Sequence, residues 1–129
     1  MVAADTNVLV RLLTNDDPSQ ASRAEALLRR QQVWIAKTVL LETAWVLQSL
    51  YEFSSASVMA GLRGLAGLEN VHFEDALAVA KAFEWCEAGL EFADALHLAS
   101  RGEAKRFVTF DEKFVKRAGR ITSLEVDCL

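Results

Sequence analysis

The sequence predicts an α/β protein whose strands are mainly parallel. One observation predicts this class, and a second predicts the number of domains. Short apolar runs alternate with longer stretches that have the apolar periodicity of helices, which is typical of a parallel sheet covered by crossover helices. A chain of 129 residues, of which 52% are hydrophobic, also has enough apolar surface for one core. We therefore expect a single domain over residues 1–129.

Start and stop signals along the chain predict its elements. Asp17 followed by Pro18, the only proline, predicts a helix with the aspartate as its N-cap. In the first half we predict a strand at 2–4, helices at 7–13 and 18–30, a strand at 33–35, a helix at 39–51 capped by Thr38, and a helix from Ser54 or Ser55 to 65. In the second half we predict a strand at 71–73, a helix capped by Asp75 and ended by Gly89, a helix from Phe92, a strand at 106–109, a helix at 112–118 and a strand at 121–126.

Aspartates follow predicted strands or open predicted helices. Asp5 comes directly after the first strand, Asp111 follows the strand at 106–109, and Asp94 lies near the start of a helix. In open α/β sheets, ligands bind beyond the carboxyl ends of the strands, so Asp5 and Asp111 stand where chemistry is expected. Each of the three also has a structural alternative as a helix cap, and taken singly none decides between the two roles.

Glu42 is the most informative acidic residue. On a helix its neighbours three and four positions away include Val39, Trp45 and Val46, so we expect it to project from a largely apolar face. A carboxylate buried without a partner costs several kcal/mol, so Glu42 needs a proton, an ion pair with an arginine such as Arg11, or a metal or catalytic site.

The aromatic and histidine residues favour structural roles. Trp34, Trp45 and Trp85 stand in apolar patterns, so we expect core packing rather than stacking on nucleic-acid bases. His97 falls one helical turn after Asp94, but a single histidine between two leucines favours packing or hydrogen bonding over a role as a metal ligand.

These residues together resemble the PIN-domain nucleases, and in particular the VapC-type toxins of bacterial toxin–antitoxin pairs. The resemblance runs from end to end, and the order and wide spacing of its segments make it specific. The matching segments are ADTNVLVRLL at 4–13, LET at 41–43, FADALH at 92–97 and VTFD at 108–111.

The resemblance implies which acidic residues act together. The family's catalytic and metal-binding quartet falls on Asp5, Glu42, Asp94 and Asp111, and its small polar residue falls on Thr6. It further implies a three-layer α/β/α sandwich around a central, mainly parallel sheet, and hydrolysis of RNA to 5′-phosphate and 3′-hydroxyl ends. It also implies Mg²⁺ or Mn²⁺ as cofactor, a homodimer, and a small antitoxin that occupies the active-site groove.

The residue types suit that cofactor. Magnesium takes oxygen ligands and keeps several waters, so a cluster of carboxylates without histidine or cysteine is what such a site requires. One or two ions are expected, and two would balance the charge of four carboxylates and allow RNA to approach. Thr6, Asn7 and Thr109 flank the carboxylates and are expected to support them.

The distribution of charge predicts a path for RNA. The net charge of −4 taken alone argues against phosphate binding, but residues 101–120 contain seven basic and three acidic residues. Arg101, Lys113 and Lys116 are the residues of this segment that we expect to contact the substrate. A solvated charged surface is the alternative.

The composition also predicts the compartment. The two cysteines lack CxxC spacing, no leader precedes the first strand, and no apolar run has membrane-spanning length. We therefore expect a soluble, cytoplasmic protein without a membrane partner.

Three other functions compete with a metal nuclease. Attack by the 2′-hydroxyl of RNA usually needs paired histidines, and neither His72 nor His97 stands in a convincing site. A phosphatase with an aspartate nucleophile would need a second aspartate where Asn7 stands. A catalytically silent module that only binds protein or RNA is disfavoured by the intact quartet.

Overall fold

Three parallel strands form the sheet of the amino-terminal part of the chain. The structure is a computed structural model that describes residues 1–129, and the chain divides into two compact units, Met1–Ala76 and Leu77–Leu129. In the first unit the elements are β1 (Val2–Ala3), α1 (Thr6–Thr14), α2 (Pro18–Arg30), β2 (Val33–Ile35), α3 (Lys37–Ser49), α4 (Ser55–Ala66) and β3 (Val71–Phe73).

The order of this sheet is β1-β2-β3, and both pairings are parallel. Parallel neighbours need a long crossover, and here two helices supply each one: α1 and α2 between β1 and β2, and α3 and α4 between β2 and β3. Val33 and Ile35 of β2 are buried, whereas Trp34 between them is exposed. The alternation of side chains along a strand therefore gives the sheet one core face and one solvent-exposed face at β2.

Two of the predicted caps of the first unit are confirmed. The side chain of Asp17 accepts a hydrogen bond from the N–H of Gln20, and that of Ser54 accepts one from the N–H of Ser57. The prediction that Thr38 caps α3 is wrong. The helix begins at Lys37, two residues before the predicted start at Val39, and the Lys37 N–H donates to the Glu74 carboxylate at 2.9 Å. The cap therefore comes from a residue beyond β3, which local sequence signals do not indicate.

The second unit contains one two-stranded parallel sheet and its helices. Its elements are α5 (Ala76–Glu87, which starts at the boundary between the units), α6 (Phe92–Ala99), β4 (Arg106–Thr109), α7 (Glu112–Ile121) and β5 (Glu125–Cys128). β4 and β5 pair in parallel, and α7 supplies the crossover between them. Gly89, which follows α5, has a φ of 129° that favours glycine, and this agrees with its predicted role in ending the helix.

Two predictions in the carboxyl-terminal half are wrong. The strand predicted at 121–126 starts too early, because α7 continues to Ile121 and β5 begins only at Glu125. Phe114 and Ala118 are buried on one face of α7 at helical spacing, so the apolar residues up to Ile121 belong to the helix. Asp75 does not have the extended backbone of an N-cap: its φ is 52°, and its carboxylate pairs with Lys37 at 3.2 Å.

The predicted α/β class, with parallel strands joined by helices, is confirmed. The strands hydrogen-bond as two sheets, one in each unit. None of the helices combines the length and the apolar character needed to span a membrane.

Candidate functional site

Asp5 lies between β1 and α1, as predicted. It is the N-cap of α1 and has an extended backbone, and its carboxylate accepts a hydrogen bond of 2.8 Å from the N–H of Thr6. The side chain is exposed, and its second oxygen has no hydrogen-bond donor from the protein. Capping and ligand binding are therefore compatible at this residue, because the cap uses only one oxygen.

Glu42 is positioned by Thr6. The Thr6 hydroxyl, on a side chain that is only 5% exposed, donates a hydrogen bond of 2.5 Å to the Glu42 carboxylate. Thr6 thus contacts both of the predicted site carboxylates in the first unit. Its backbone N–H donates to Asp5, and its hydroxyl donates to Glu42. The sequence identified Thr6 as a supporting residue, and the structure shows the contact through which it supports Glu42.

The expected surroundings of Glu42 are wrong. Its side chain is exposed and belongs to a solvent-facing stripe of α3 that consists of Thr38, Glu42, Trp45 and Ser49. The expectation failed because Trp45 was assigned to the core, although it is 59% exposed. Arg11, the alternative ion-pair partner, binds Asp16 at 3.0 Å instead and also contacts Tyr51.

Asp94 is the third residue of α6 and is half-buried. Burial is the largest cause that raises the pKa of its carboxyl group, followed by repulsion from Glu91 and from Asp111. His97 and Arg117 act in the opposite direction and lower it. Asp111 therefore lies close enough to Asp94 to disfavour ionisation of the Asp94 carboxyl group.

Asp111 is held by the start of α7 and by Thr109. One of its carboxylate oxygens accepts a hydrogen bond of 3.1 Å from the N–H of Phe114, so Asp111 is the N-cap of α7. Its own N–H donates to the Thr109 hydroxyl at 3.1 Å. Thr109 thus orients Asp111, whereas Asn7, the third predicted supporting residue, is exposed and makes no side-chain hydrogen bond.

The structure separates Arg101 from the two lysines predicted to bind substrate. Lys113 and Lys116 are exposed on α7 within five residues of Asp111. Arg101 lies beyond the opposite end of α6 from Asp94, about 10 Å away along the helix axis. There its guanidinium donates to the Leu98 carbonyl at 3.3 Å and lines a cavity of about 500 Å³ with residues of α5 and of the 121–124 segment.

Comparison with known proteins gives one decisive match. A family model described as PIN domain matches residues 2–120 of the chain. The chain belongs to the PIN domain family. A comparison with curated proteins finds no match.

Two solved structures are similar to this PIN domain. VapC20 of Mycobacterium tuberculosis, a toxin that cleaves the sarcin–ricin loop, is 21% identical, with coverage of 97% of this chain and 99% of that one and a TM-score of 0.44. VapBC2 of Rickettsia felis, bound to a DNA fragment from its promoter, is 19% identical, with coverage of 99% and 98% and a TM-score of 0.39.

The chemistry of the donors in this PIN domain fits a hard divalent cation. The four predicted carboxylates are divided between the two units, two in each. The structure contains no cluster of three or more His, Cys, Asp or Glu side chains that could hold a metal ion. All four side chains offer oxygen ligands of the kind that magnesium prefers. The raised pKa of Asp94 adds a physical argument, since a nearby cation would favour its ionised form.

Sequence reasoning missed two residues that act on Asp94. Glu91 lies three residues before it and raises its pKa, and the helical spacing of the two residues gave a usable signal. Arg117 lowers the pKa of Asp94 from α7, and no local pattern links the two residues.

Proposed function

We propose that this PIN-domain protein is a Mg²⁺- or Mn²⁺-dependent endoribonuclease. Membership of the PIN family carries the proposal. The motif segments support it, because they place an acidic residue at each of the four positions of the family's quartet. The raised pKa of Asp94, caused by burial, Glu91 and Asp111, supports it, because carboxyl groups with perturbed pKa values cluster at functional sites.

Each residue has a defined part in the proposed site. Asp5, Glu42, Asp94 and Asp111 supply carboxylate oxygens to one or two ions. Thr6 orients Glu42, Thr109 orients Asp111, and Asn7 lies beside the site at the start of α1. A bound divalent ion supplies two effects, stabilisation of charge on the phosphate oxygens and a lower pKa for water. The proposed products carry 5′-phosphate and 3′-hydroxyl ends.

The basic face of α7 is the proposed path of the RNA backbone. Lys113, Lys116, Arg117 and Arg120 follow one another at spacings of three, one and three, so they lie along one side of the helix. All four are exposed, and none forms an ion pair within the protein. Because Arg117 also acts on Asp94, this face adjoins the proposed site and offers its charges to phosphates.

The proposal extends to the biological role. The motif segments at 4–13, 41–43, 92–97 and 108–111 resemble those of VapC-type toxins. We propose a cytoplasmic toxin that acts as a single PIN-like domain, forms a homodimer, and is neutralised by a small antitoxin that occupies the groove of the active site.

Two aspartates provide a matched pair for the central test. Asp5 and Asp17 both cap helices, and asparagine caps a helix about as well as aspartate. Asp5→Asn and Asp17→Asn therefore make the same chemical change at similar cost in stability. Purified wild type and Asp17→Asn are expected to cleave a mixed RNA pool with added Mg²⁺ or Mn²⁺ and to stop with EDTA. Asp5→Asn is expected to lose activity by at least about 100-fold, as removal of a metal ligand costs several kcal/mol of transition-state stabilisation.

The same samples separate the alternatives. Equal cleavage by wild type and Asp5→Asn would contradict the proposal, since it would show that activity does not come from this site. Hydrolysis of a small phosphomonoester with phosphate trapped on Asp5 would indicate the phosphatase. RNA binding without cleavage under any metal condition, and normal growth when the protein is expressed alone, would indicate the silent module.

A further inference from the structure

Trp45 is a large apolar side chain on the polar side of α3. Thr38, Glu42 and Ser49 share its solvent-facing stripe, while Leu40, Ala44 and Leu47 are buried on the opposite side. Trp45 is 59% exposed, makes no aromatic or cation–π contact, and its indole N–H has no hydrogen-bond partner in the protein. More than half of the Trp45 surface is therefore open to contact with a ligand.

Trp45 lies next to Glu42, one of the proposed site residues, on the same face of α3. Glu42 and Trp45 are three residues apart on one helix, so their side chains leave neighbouring points of the same face, about 5–6 Å apart at their Cβ atoms. Thr6 holds Glu42 in place through a hydrogen bond. A phosphate at Glu42 would therefore place the base of an adjacent nucleotide within reach of the indole ring.

We propose that Trp45 stacks on a base of the single-stranded RNA substrate next to the cleaved phosphate; this inference rests on the proposed ribonuclease function. Unpaired bases are commonly held on aromatic rings, and such stacking tolerates any sequence because every base has a π face. Trp45 is a positioning and affinity residue, because it contacts a base and none of the reacting atoms.

A second copy of the chain is a poorer occupant of this surface. A tryptophan buries about 150–250 Å², whereas a stable protein interface buries about 800 Å² on each partner. The neighbours of Trp45 on the stripe are polar or charged, and charged residues are depleted at the centre of protein interfaces. A hydrated site for one base fits this setting better.

Intrinsic fluorescence tests the contact directly. The double variant Trp34→Phe/Trp85→Phe leaves Trp45 as the only tryptophan. Adding Asp111→Asn blocks cleavage on the proposed function, so binding can be titrated with Mg²⁺ present. A mixed-sequence single-stranded 12-nucleotide RNA is expected to quench the Trp45 emission saturably. An abasic strand of equal length is expected to leave it unchanged, since it retains the phosphates and lacks the bases.

Kinetics give an independent readout. In the otherwise wild-type protein, Trp45→Ala is expected to raise KM for single-stranded RNA by about 10-fold with little change in kcat, and Trp45→Phe to stay close to wild type. Leu77→Ala is the matched control, because Leu77 is also a strongly exposed apolar residue on a helix and lies outside the proposed site. Circular dichroism melting of each variant checks that the fold is intact.

The outcomes separate this inference from the function on which it rests. If the wild type cleaved RNA, but RNA did not quench the Trp45 emission and Trp45→Ala had an unchanged KM, the role of Trp45 would be overturned. The ribonuclease function would still be supported. If RNA quenched the Trp45 emission of the single-tryptophan variant but the wild type never cleaved RNA, base stacking would be supported and the nuclease overturned. Dissociation of a dimer by Trp45→Ala, measured by sedimentation and without quenching, would assign the surface to a second copy instead.

Discussion

In the Met1–Ala76 unit, Asp5 and Glu42 are exposed and connected through Thr6, whereas in the Leu77–Leu129 unit Asp94 is half-buried and is repelled by Asp111. Both members of the first pair are exposed, and the residue Thr6 links them by hydrogen bonds. In the second pair, burial and nearby negative charges disfavour the ionised form of Asp94, and a bound cation would relieve that penalty. The carboxylates of the proposed site thus differ in their contacts and in the cost of ionising them. Substitutions in the two units should therefore have different consequences for stability.

The largest expected effect tests whether both units serve one activity. Asp111→Asn should lower RNA cleavage by at least about 100-fold, the loss also expected for Asp5→Asn, because each removes a proposed metal ligand. Both are N-caps that asparagine can replace, so thermal midpoints should stay close to that of the wild type. Cleavage assays with Mg²⁺ measure the loss, and Asp17→Asn is the control. Full activity in Asp111→Asn would mean that the second unit takes no part in catalysis.

The connection through Thr6 gives the next largest effect. Thr6→Val keeps the shape of the buried side chain but removes the hydroxyl that donates to Glu42, so cleavage should fall by about 10-fold or more. Loss of one hydrogen bond should also lower the free energy of unfolding by about 1 kcal/mol, measured by urea denaturation.

Thr6→Ser provides the matched control for this prediction. It restores a hydroxyl at the same position and should recover most of the activity. If Thr6→Val cleaved RNA as fast as the wild type, Glu42 would not need Thr6 for its orientation, and the link between the two carboxylates of the first pair would have no part in catalysis.

The basic face of α7 should give a smaller effect that depends on salt. Lys113→Ala and Lys116→Ala should each weaken RNA binding several-fold and reduce the slope of log affinity against log salt concentration by about 0.7. Fluorescence anisotropy at several salt concentrations measures both values. Lys105→Ala makes the same change of charge outside α7 and should leave the slope unaltered. Equal slopes in all three variants would remove α7 from the proposed RNA path.

The smallest expected effect concerns stability and pH. Because the pKa of Asp94 is raised in the folded protein, its ionisation disfavours folding, and the wild type loses stability as pH rises from the ordinary aspartate pKa through the raised one. Asp94→Asn cannot ionise and should be more stable at neutral pH by less than about 1 kcal/mol, since solvent screens a half-exposed group.

A pH series sharpens this last prediction. The difference between Asp94→Asn and wild type should vanish below about pH 3, where both side chains are neutral, and should grow to a plateau at neutral pH. Denaturation midpoints without metal measure it. A variant that is less stable at neutral pH would show that Asp94 is held by favourable interactions, as Asp5 is.

Much of the fold follows from local signals. The start of α2 at Pro18, the cap at Ser54, and the strands at 33–35, 71–73 and 106–109 agree with prediction, because caps and short apolar runs act over a few residues. Errors arose where distant residues decide the outcome. The start of α3 depends on Glu74, which lies more than 30 residues beyond Lys37.

The candidate site divides along the same line. The capping positions of Asp5 and Asp111 follow from local patterns. The surroundings of Glu42 do not follow from local patterns. Helical spacing identifies its neighbours but not which side of α3 is exposed to solvent. The same uncertainty placed Trp45 and Trp34 in the core, although they are 59% and 39% exposed, while Trp85 is buried as expected.

The sequence by itself determined the α/β class, the helix caps that bear Asp5 and Asp111, and, through the PIN family, which acidic residues to consider together. The tertiary structure alone decided that Thr6 bonds Glu42, that Asp111 and Arg117 act on Asp94, and that Trp45 faces solvent. The physical reason is one of range. Capping and periodicity act within a few residues, whereas electrostatic and hydrogen-bond partners are chosen by distance in space.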